Sequence, residues 1–239
     1  MSHEELRRDG LRRFGLIALA TDLTIEGDAA RLMPPGTQLH VTRIAFENPT
    51  TPESLRRTGP RLRDAAELIL PGMALDGILF GCTSASAVLG AGVVTLVGPR
   101  APVTTPLSAA ARALEALRIG RVSLLTPYMA ETTALVAEHL RQHGVEVVAQ
   151  HSMEHADDRD MGMLTPQTVI EAALAADHPR AEALFLSCTA LPAVQVIERL
   201  EKMLGKPVLS SNQVSFWSML DTAEISGDGP GKLFKVRRW

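Results

Sequence analysis

One short phrase occurs twice in this chain, and it restricts the possible fold more than any other feature. Gly81-Cys82-Thr83-Ser84 follows the apolar run Gly77-Ile78-Leu79-Phe80, and Ser187-Cys188-Thr189-Ala190 follows Ala183-Leu184-Phe185-Leu186. Each reads as a buried strand ending in a small residue, then a cysteine, a hydroxyl residue and a helix. The two cysteines are the only ones in the sequence and lie 106 positions apart. A second pair of segments, Pro102-Val103-Thr104-Thr105-Pro106 and Pro207-Val208-Leu209-Ser210-Ser211, starts 105 positions apart. A period this long is unsuited to a solenoid and points to duplication of a whole βα architecture.

Strands and helices alternate through the rest of the chain. Strands are expected over 14–20, 38–45, 77–80, 122–125, 145–149 and 183–186, and helices over 26–32, 53–70, 107–117, 131–143, 165–176, 191–204 and 213–221. Within 53–70, Leu55, Leu62, Ala65, Ala66 and Ile69 recur at helical spacing before Pro71-Gly72 stops the run. Thr165-Pro166 has the form of an N-cap followed by a first-turn proline, and Gly144 and Gly205 close helices. The expected fold is α/β, with two pseudo-symmetric αβα sandwich halves, short parallel sheets and the active site in the cleft between them. One half covers 1–105 and is completed by 212–239, and the other covers 106–211. Parallel sheets of this kind bind ligands at the carboxyl ends of their strands, where both cysteines fall.

The 239 residues are 46% hydrophobic, enough for real cores, and the net charge of −3 lacks the basic footprint of a nucleic-acid binder. No apolar stretch reaches the about 18–20 residues of a membrane helix, so no membrane partner is expected. The N-terminus mixes Arg7, Arg8, Arg12 and Arg13 with Glu4, Glu5 and Asp9 and lacks a leader-like apolar core. This reads as a solvated segment of a cytoplasmic protein, in which both cysteines are free thiols.

Two thiols presented alike from two halves can face each other across a cleft, which suits racemisation or isomerisation. A thiol at a helix N-terminus is expected to ionise more readily, because the backbone N–H groups and the helix dipole favour thiolate. A thiolate can abstract a proton or attack an activated double bond, and the opposite thiol can return a proton. The same N-termini, with Thr83, Ser84 and Thr189, are candidate carboxylate-binding points. His151 and His155, followed by Asp157 and Asp158, have a spacing that could hold a metal on a helix. They lie in a stretch without an apolar stripe, so a polar loop and no metal are expected. Gly90-Ala91-Gly92 is only a fragment of a dinucleotide fingerprint, and His139 and His143 read as surface groups near a helix end.

The Cys82 and Cys188 phrases, the Pro-Val-Ser-Ser-type segment and the tail Phe216-Trp217 with Gly229-Pro230-Gly231-Lys232-Leu233-Phe234 resemble the Asp/Glu racemase superfamily. The nearest branch is that of maleate cis-trans isomerases and arylmalonate decarboxylases. Residues 15–26 look most like the ectoine-utilisation protein of that branch. The resemblance implies a cofactor-free enzyme, usually a homo-oligomer such as a dimer, acting on a small carboxylate or amino-acid substrate. It implies Cys82 and Cys188 as the catalytic pair. Decarboxylases of the branch keep only the second cysteine, so both thiols favour an isomerase or racemase. It also implies a substrate contact for Tyr128, the only tyrosine, and carboxylate contacts for Thr83 and Thr189.

Two departures bear on specificity. Maleate isomerases carry asparagine where this chain has Asp22, and another near Asp158. A carboxylate facing a dianion is repulsive, whereas one facing an ammonium group attracts. The expected substrate therefore carries one carboxylate and a cationic amine, and Asp22 sets that preference unless it serves only to cap the following helix. Two other readings stay open at this point: decarboxylation with Cys188 as proton donor, and a binding protein that senses a metabolite without turning it over.

Overall fold

A computed structural model describes residues 10–236; the charged residues Glu4, Glu5, Arg7, Arg8 and Asp9 lie outside the described residues. The first half runs β1 (Arg12–Leu19), α1 (Ile25–Leu32), β2 (Thr37–Ile44), α2 (Pro52–Arg56), α3 (Leu62–Leu68), β3 (Gly77–Gly81), α4 (Thr83–Leu89), α5 (Gly92–Val97) and β4 (Val103–Thr104). The chain continues through α6 (Pro106–Ala116), β5 (Arg121–Thr126), α7 (Ala130–Gln142), β6 (Glu146–Ser152), α8 (Asp158–Gly162), α9 (Pro166–Ala176), β7 (Ala183–Leu186), α10 (Ile197–Leu204), β8 (Val208–Ser210) and α11 (Ser211–Thr222).

The strands form two four-stranded parallel sheets with the same order, β2-β1-β3-β4 and β6-β5-β7-β8. The α/β class and the duplicated parallel sheets are as the sequence predicts. The repeat extends to the helix starts. Thr105 and Ser210 each close a capping box, with Ser108 and Gln213 respectively, at the start of the helix after the last strand of each sheet. The cysteine strands β3 and β7 are buried along their whole length, as expected for parallel strands covered on both faces.

Gly81 has a packing reason. A Cβ there would come within 2.5 Å of Ile25 Cδ1 and 2.9 Å of Leu16 Cδ1, so glycine lets α1 close against the sheet beside Cys82. The helices that follow β4 and β8 cross over. Phe216, Met219 and Leu220 of α11 join Phe14, Leu16, Ala18 and Leu79 of the first sheet in one cluster. Leu107, Ala110 and Leu114 of α6 share a cluster with Val122, Leu124 and Phe185 of the second sheet. Burying each such side chain contributes about 1.5–3 kcal/mol. The two helices also pack on one another.

Three elements differ from the sequence expectation. The run 53–70 breaks into α2, a 3-10 turn at Gly59–Arg61 and α3, because Pro60 lacks the N–H that a continuous helix requires. The helix expected over 191–204 begins only at Ile197, after a 3-10 turn at Val194–Val196; Pro192 disfavours helical backbone at Leu191. β6 continues to Ser152, carried by pairing with β5 despite its polar residues, so His151 is on an edge strand and not in a loop. Among the described residues no helix is long and apolar enough to cross a membrane.

Candidate active site

Loops at the carboxyl ends of three strands in each half converge on one narrow pocket, closed tightly around the side chains that line it. From the first half come Leu19 and Asp22 after β1, Phe46 and Thr50 after β2, and Cys82 and Ser84 after β3. From the second half come Tyr128 after β5, Asp158 after β6, and Cys188, Thr189 and Ala190 after β7. The pocket therefore holds every candidate site residue except Thr83. The Thr83 side chain points elsewhere: it is fully buried and its hydroxyl donates to Ser211 Oγ at 2.9 Å, pinning α4 to α11. A larger cleft lies against the C-terminal segment between Trp217, Asp221 and Phe234, and no cysteine lines it.

The repeat relates these residues in pairs. Asp22 and Tyr128 are 106 positions apart, as are Cys82 and Cys188. The duplication thus keeps the thiols alike and makes their neighbours different. Their local settings also differ. Cys82 is the N-cap of α4, and its Sγ accepts from the Ala85 N–H at 3.5 Å and lies 3.6 Å from Ser84 Oγ. Cys188 heads an irregular turn, where the Ala190 and Leu191 N–H groups and the Tyr128 hydroxyl approach its sulfur. The helix N-terminus expected at Cys188 is absent for the reason given by Pro192.

Both cysteines are free and nearly inaccessible, with exposures of 3% and 4%. Burial pushes the Cys82 thiol up to about 12, against the opposing effect of the Ala85 N–H and Ser84, and pushes Cys188 up as well. The thiolate expected from the helix N-terminus is not the resting state, because desolvation outweighs the backbone donors. Burial also raises the Tyr128 hydroxyl. That hydroxyl hydrogen-bonds Cys188 of its own half and Ser84 of the other.

Asp22 caps α1 and also lines the pocket. Its Oδ1 accepts from the Thr24 N–H at 2.8 Å and the Ile25 N–H at 2.9 Å, and the Thr189 hydroxyl bonds the same carboxylate. Burial still raises its pKa above the usual carboxylate range, and the neighbouring Asp158 adds to the rise. Arg43 fixes the turn before α1 by donating to the carbonyls of Leu19, Ala20 and Asp22. Asp158 Oδ2 accepts from the Thr21 hydroxyl at 2.5 Å, while Oδ1 is buried without a partner among the described residues.

A second layer supports the Cys188 turn. Thr24 donates to the Ala190 carbonyl at 2.6 Å, and Asn212 Nδ2 donates at 2.8 Å both to the Thr189 carbonyl and to Asp28 Oδ2. Asp28 is buried, which raises its pKa from 3.8 to about 6 against the opposing bond from Asn212. A strap also joins the halves over the pocket: the Thr50 N–H donates to Ala156 O at 2.8 Å and Asn48 Nδ2 to Asp157 Oδ1 at 2.7 Å. Sequence reading missed Thr50, Phe46 and this strap. The available signal was Asn48-Pro49-Thr50-Thr51-Pro52, a proline-bracketed polar loop at a strand's carboxyl end.

Comparison with known proteins agrees with this geometry. The family model described as arylmalonate decarboxylase matches residues 95–234. The maleate isomerase of Nocardia farcinica is 29% identical over 244 residues, covering 95% of this chain and 96% of that protein. The arylmalonate decarboxylase of Bordetella bronchiseptica is 28% identical over 141 residues, covering 56% of this chain and 58% of that protein. Among solved structures, a cysteine-to-serine mutant of the Nocardia farcinica maleate cis-trans isomerase, with a covalently bound succinylcysteine intermediate, matches with a TM-score of 0.84 at 25% identity, covering 96% of this chain and 100% of that one. The matched span, the shared sheet order of the two halves and the full-length similarity place this chain in the maleate isomerase and arylmalonate decarboxylase family of the Asp/Glu racemase superfamily.

Proposed function

We propose that the protein is a cofactor-independent isomerase or racemase that works on a small carboxylate with Cys82 and Cys188 as opposed thiols. The observation that carries this reading is the convergence of both thiols, from equivalent strand ends of the two halves, on one pocket. Both thiols rest protonated, so the attacking one must pass its proton to a carboxylate as ligand enters, and Asp22, whose burial favours the neutral form, lines the same pocket; the other thiol then faces the reacting carbon as an acid. Ser84 and the Tyr128 hydroxyl bond the thiols and suit a carboxylate, and Thr189 on the same wall would join them by releasing Asp22. Thr83 acts at one remove, by holding α4. The covalent succinylcysteine of the related isomerase supports a nucleophilic variant of the same scheme, in which one sulfur adds to a double bond.

The likeness of residues 15–26 to the ectoine-utilisation protein supports an amino-acid derivative from ectoine breakdown as substrate. We also propose that the chain works as two lobes, 1–105 with 212–239 and 106–211, in a homodimer. A test of the chemistry is hydrogen exchange at the α-carbon of small acids in deuterated water, with turnover of maleate followed in parallel. Cys82→Ser and Cys188→Ser should each lower the rate by at least about a thousandfold while the fold is kept. Equal rates in wild type and both variants would remove the two-thiol scheme. Loss in Cys188→Ser alone, with release of carbon dioxide, would favour decarboxylation, for which the Tyr128-supported Cys188 is the better placed acid. Ligand binding with neither exchange nor product would mark a sensor.

A further inference from the structure

Resting on that reading of the pocket as a substrate site, we propose that it seats the ammonium group of a small amino acid and that Asp158 Oδ1 is the docking atom. The two carboxylates that line the pocket are not equivalent. Asp22 is committed to the protein, since its oxygens serve two backbone N–H groups and the Thr189 hydroxyl. Asp158, which lines the pocket, uses only one oxygen: Oδ2 takes the Thr21 hydroxyl, and Oδ1 is buried with no donor among the described residues. The residue is 5% exposed and its backbone N–H donates to Asn48 Oδ1 at 3.3 Å, so the side chain is held where it is.

A carboxylate oxygen left without a donor in such a place costs free energy that a ligand donor would recover. Among the described residues no Lys, Arg or His lines the pocket. Arg159, the adjacent residue, is exposed and paired with Asp157. A dicarboxylate would therefore bring its second anionic group toward Asp22 and Asp158 with no cation to receive it. An ammonium group supplies both the missing hydrogen bond and the compensating charge. The charge of Asp158 is already felt at Asp22, whose carboxyl it helps to push up. With the ammonium on Asp158, the Ser84 hydroxyl, beside Cys82, remains for the single carboxylate. This assignment shifts the specificity role from Asp22, where the sequence suggested it, to Asp158.

Four-carbon acids that differ in charge test the idea: succinate, butyrate, 2-aminobutyrate and 4-aminobutyrate, titrated by calorimetry into wild type and Asp158→Asn. In wild type at least one aminobutyrate should bind about tenfold or more tighter than butyrate, and succinate weakest of all. Asp158→Asn, which keeps an acceptor for Thr21, should erase the aminobutyrate advantage and strengthen succinate. Succinate binding as well as the aminobutyrates in wild type overturns the proposal, as does failure of both aminobutyrates to bind. An unchanged ratio in a folded Asp158→Asn overturns it too; if that variant melts early, the wild-type ranking decides. The exchange assay separates this inference from the thiol scheme. An aminobutyrate preference without cysteine-dependent exchange keeps the ammonium seat and removes the thiol chemistry, and cysteine-dependent exchange with a succinate preference does the reverse.

Discussion

Replacing Asp28 by Asn should stabilise the protein at neutral pH, by an amount that the buried network fixes. Asp28 sits on α1 behind the Cys188 turn, with Asn212 as its buried partner and Arg31 at 3.3 Å on the solvent side. Its folded pKa is raised from 3.8 to about 6, so the fold prefers the neutral form. Below 3.8 the group is protonated in both folded and unfolded chains and costs nothing. As pH rises from about 4 to about 6 the unfolded chain releases the proton first, and stability falls. At 1.36 kcal/mol per pH unit, the gap corresponds to about 3 kcal/mol lost by pH 7. Asparagine carries no charge at any pH and still offers Asn212 an acceptor. The difference in unfolding free energy between Asp28→Asn and wild type, from urea titrations at a series of pH values, should be near zero at pH 4. It should then climb to about 3 kcal/mol in favour of the variant above pH 7. A flat difference across this range, or a variant less stable at pH 7 than at pH 4 relative to wild type, would refute the reasoning.

Three further outcomes follow from the site and its packing. Because burial holds Cys82 up to about 12 and raises Cys188, both should react with iodoacetamide at pH 7.5 at least about a hundredfold more slowly than a free cysteine in peptide mapping, with the rate climbing as pH rises. Labelling at the free-thiol rate would show that the pocket is open. Tyr128→Phe removes the hydroxyl shared by Cys188 and Ser84 and should cost about 1 kcal/mol or less of stability while lowering turnover about ten- to a hundredfold; urea midpoints and initial rates read the two effects separately. Gly81→Ala should destabilise the fold by about 1–3 kcal/mol in urea titration, since its methyl group meets Ile25 and Leu16 side chains; an unchanged midpoint would mean that α1 is free to shift.

Much of the fold could be read from the chain because duplication wrote it twice. The strand before each cysteine and the capped helix after each Pro-Val segment point to the same architecture, and a signal repeated at 106 and 105 positions is hard to produce by chance. Local breaks were read less well where apolar spacing was weighed above backbone chemistry. Leu55 and Leu62 keep helical phase across Pro60, and the residues after Leu191 look helical although Pro192 intervenes. The character of the thiols was not legible at all. The backbone donors at a helix start are local and visible in sequence, whereas the burial that overrides them arises only when Tyr128, Asp158 and the Thr50 strap close from the other elements. For the same reason the free oxygen of Asp158 has no sequence signature: it depends on Thr21, 137 positions away, taking one oxygen and leaving the other.

The crossing of α6 and α11 has a historical consequence. A primordial chain of half this length, ending after one such helix, could not cover its own sheet with it, because in the present molecule α11 closes the first sheet and α6 joins the core of the second. Two copies exchanging their terminal helices would cover both sheets at once and would place two identical cysteines in one shared cleft. Fusion of such a swapped pair would make the exchange intramolecular and leave each copy free to drift. Positions 22 and 128, equivalent in the repeat, carry an acid on one side and a phenol on the other, while the sulfurs stay matched.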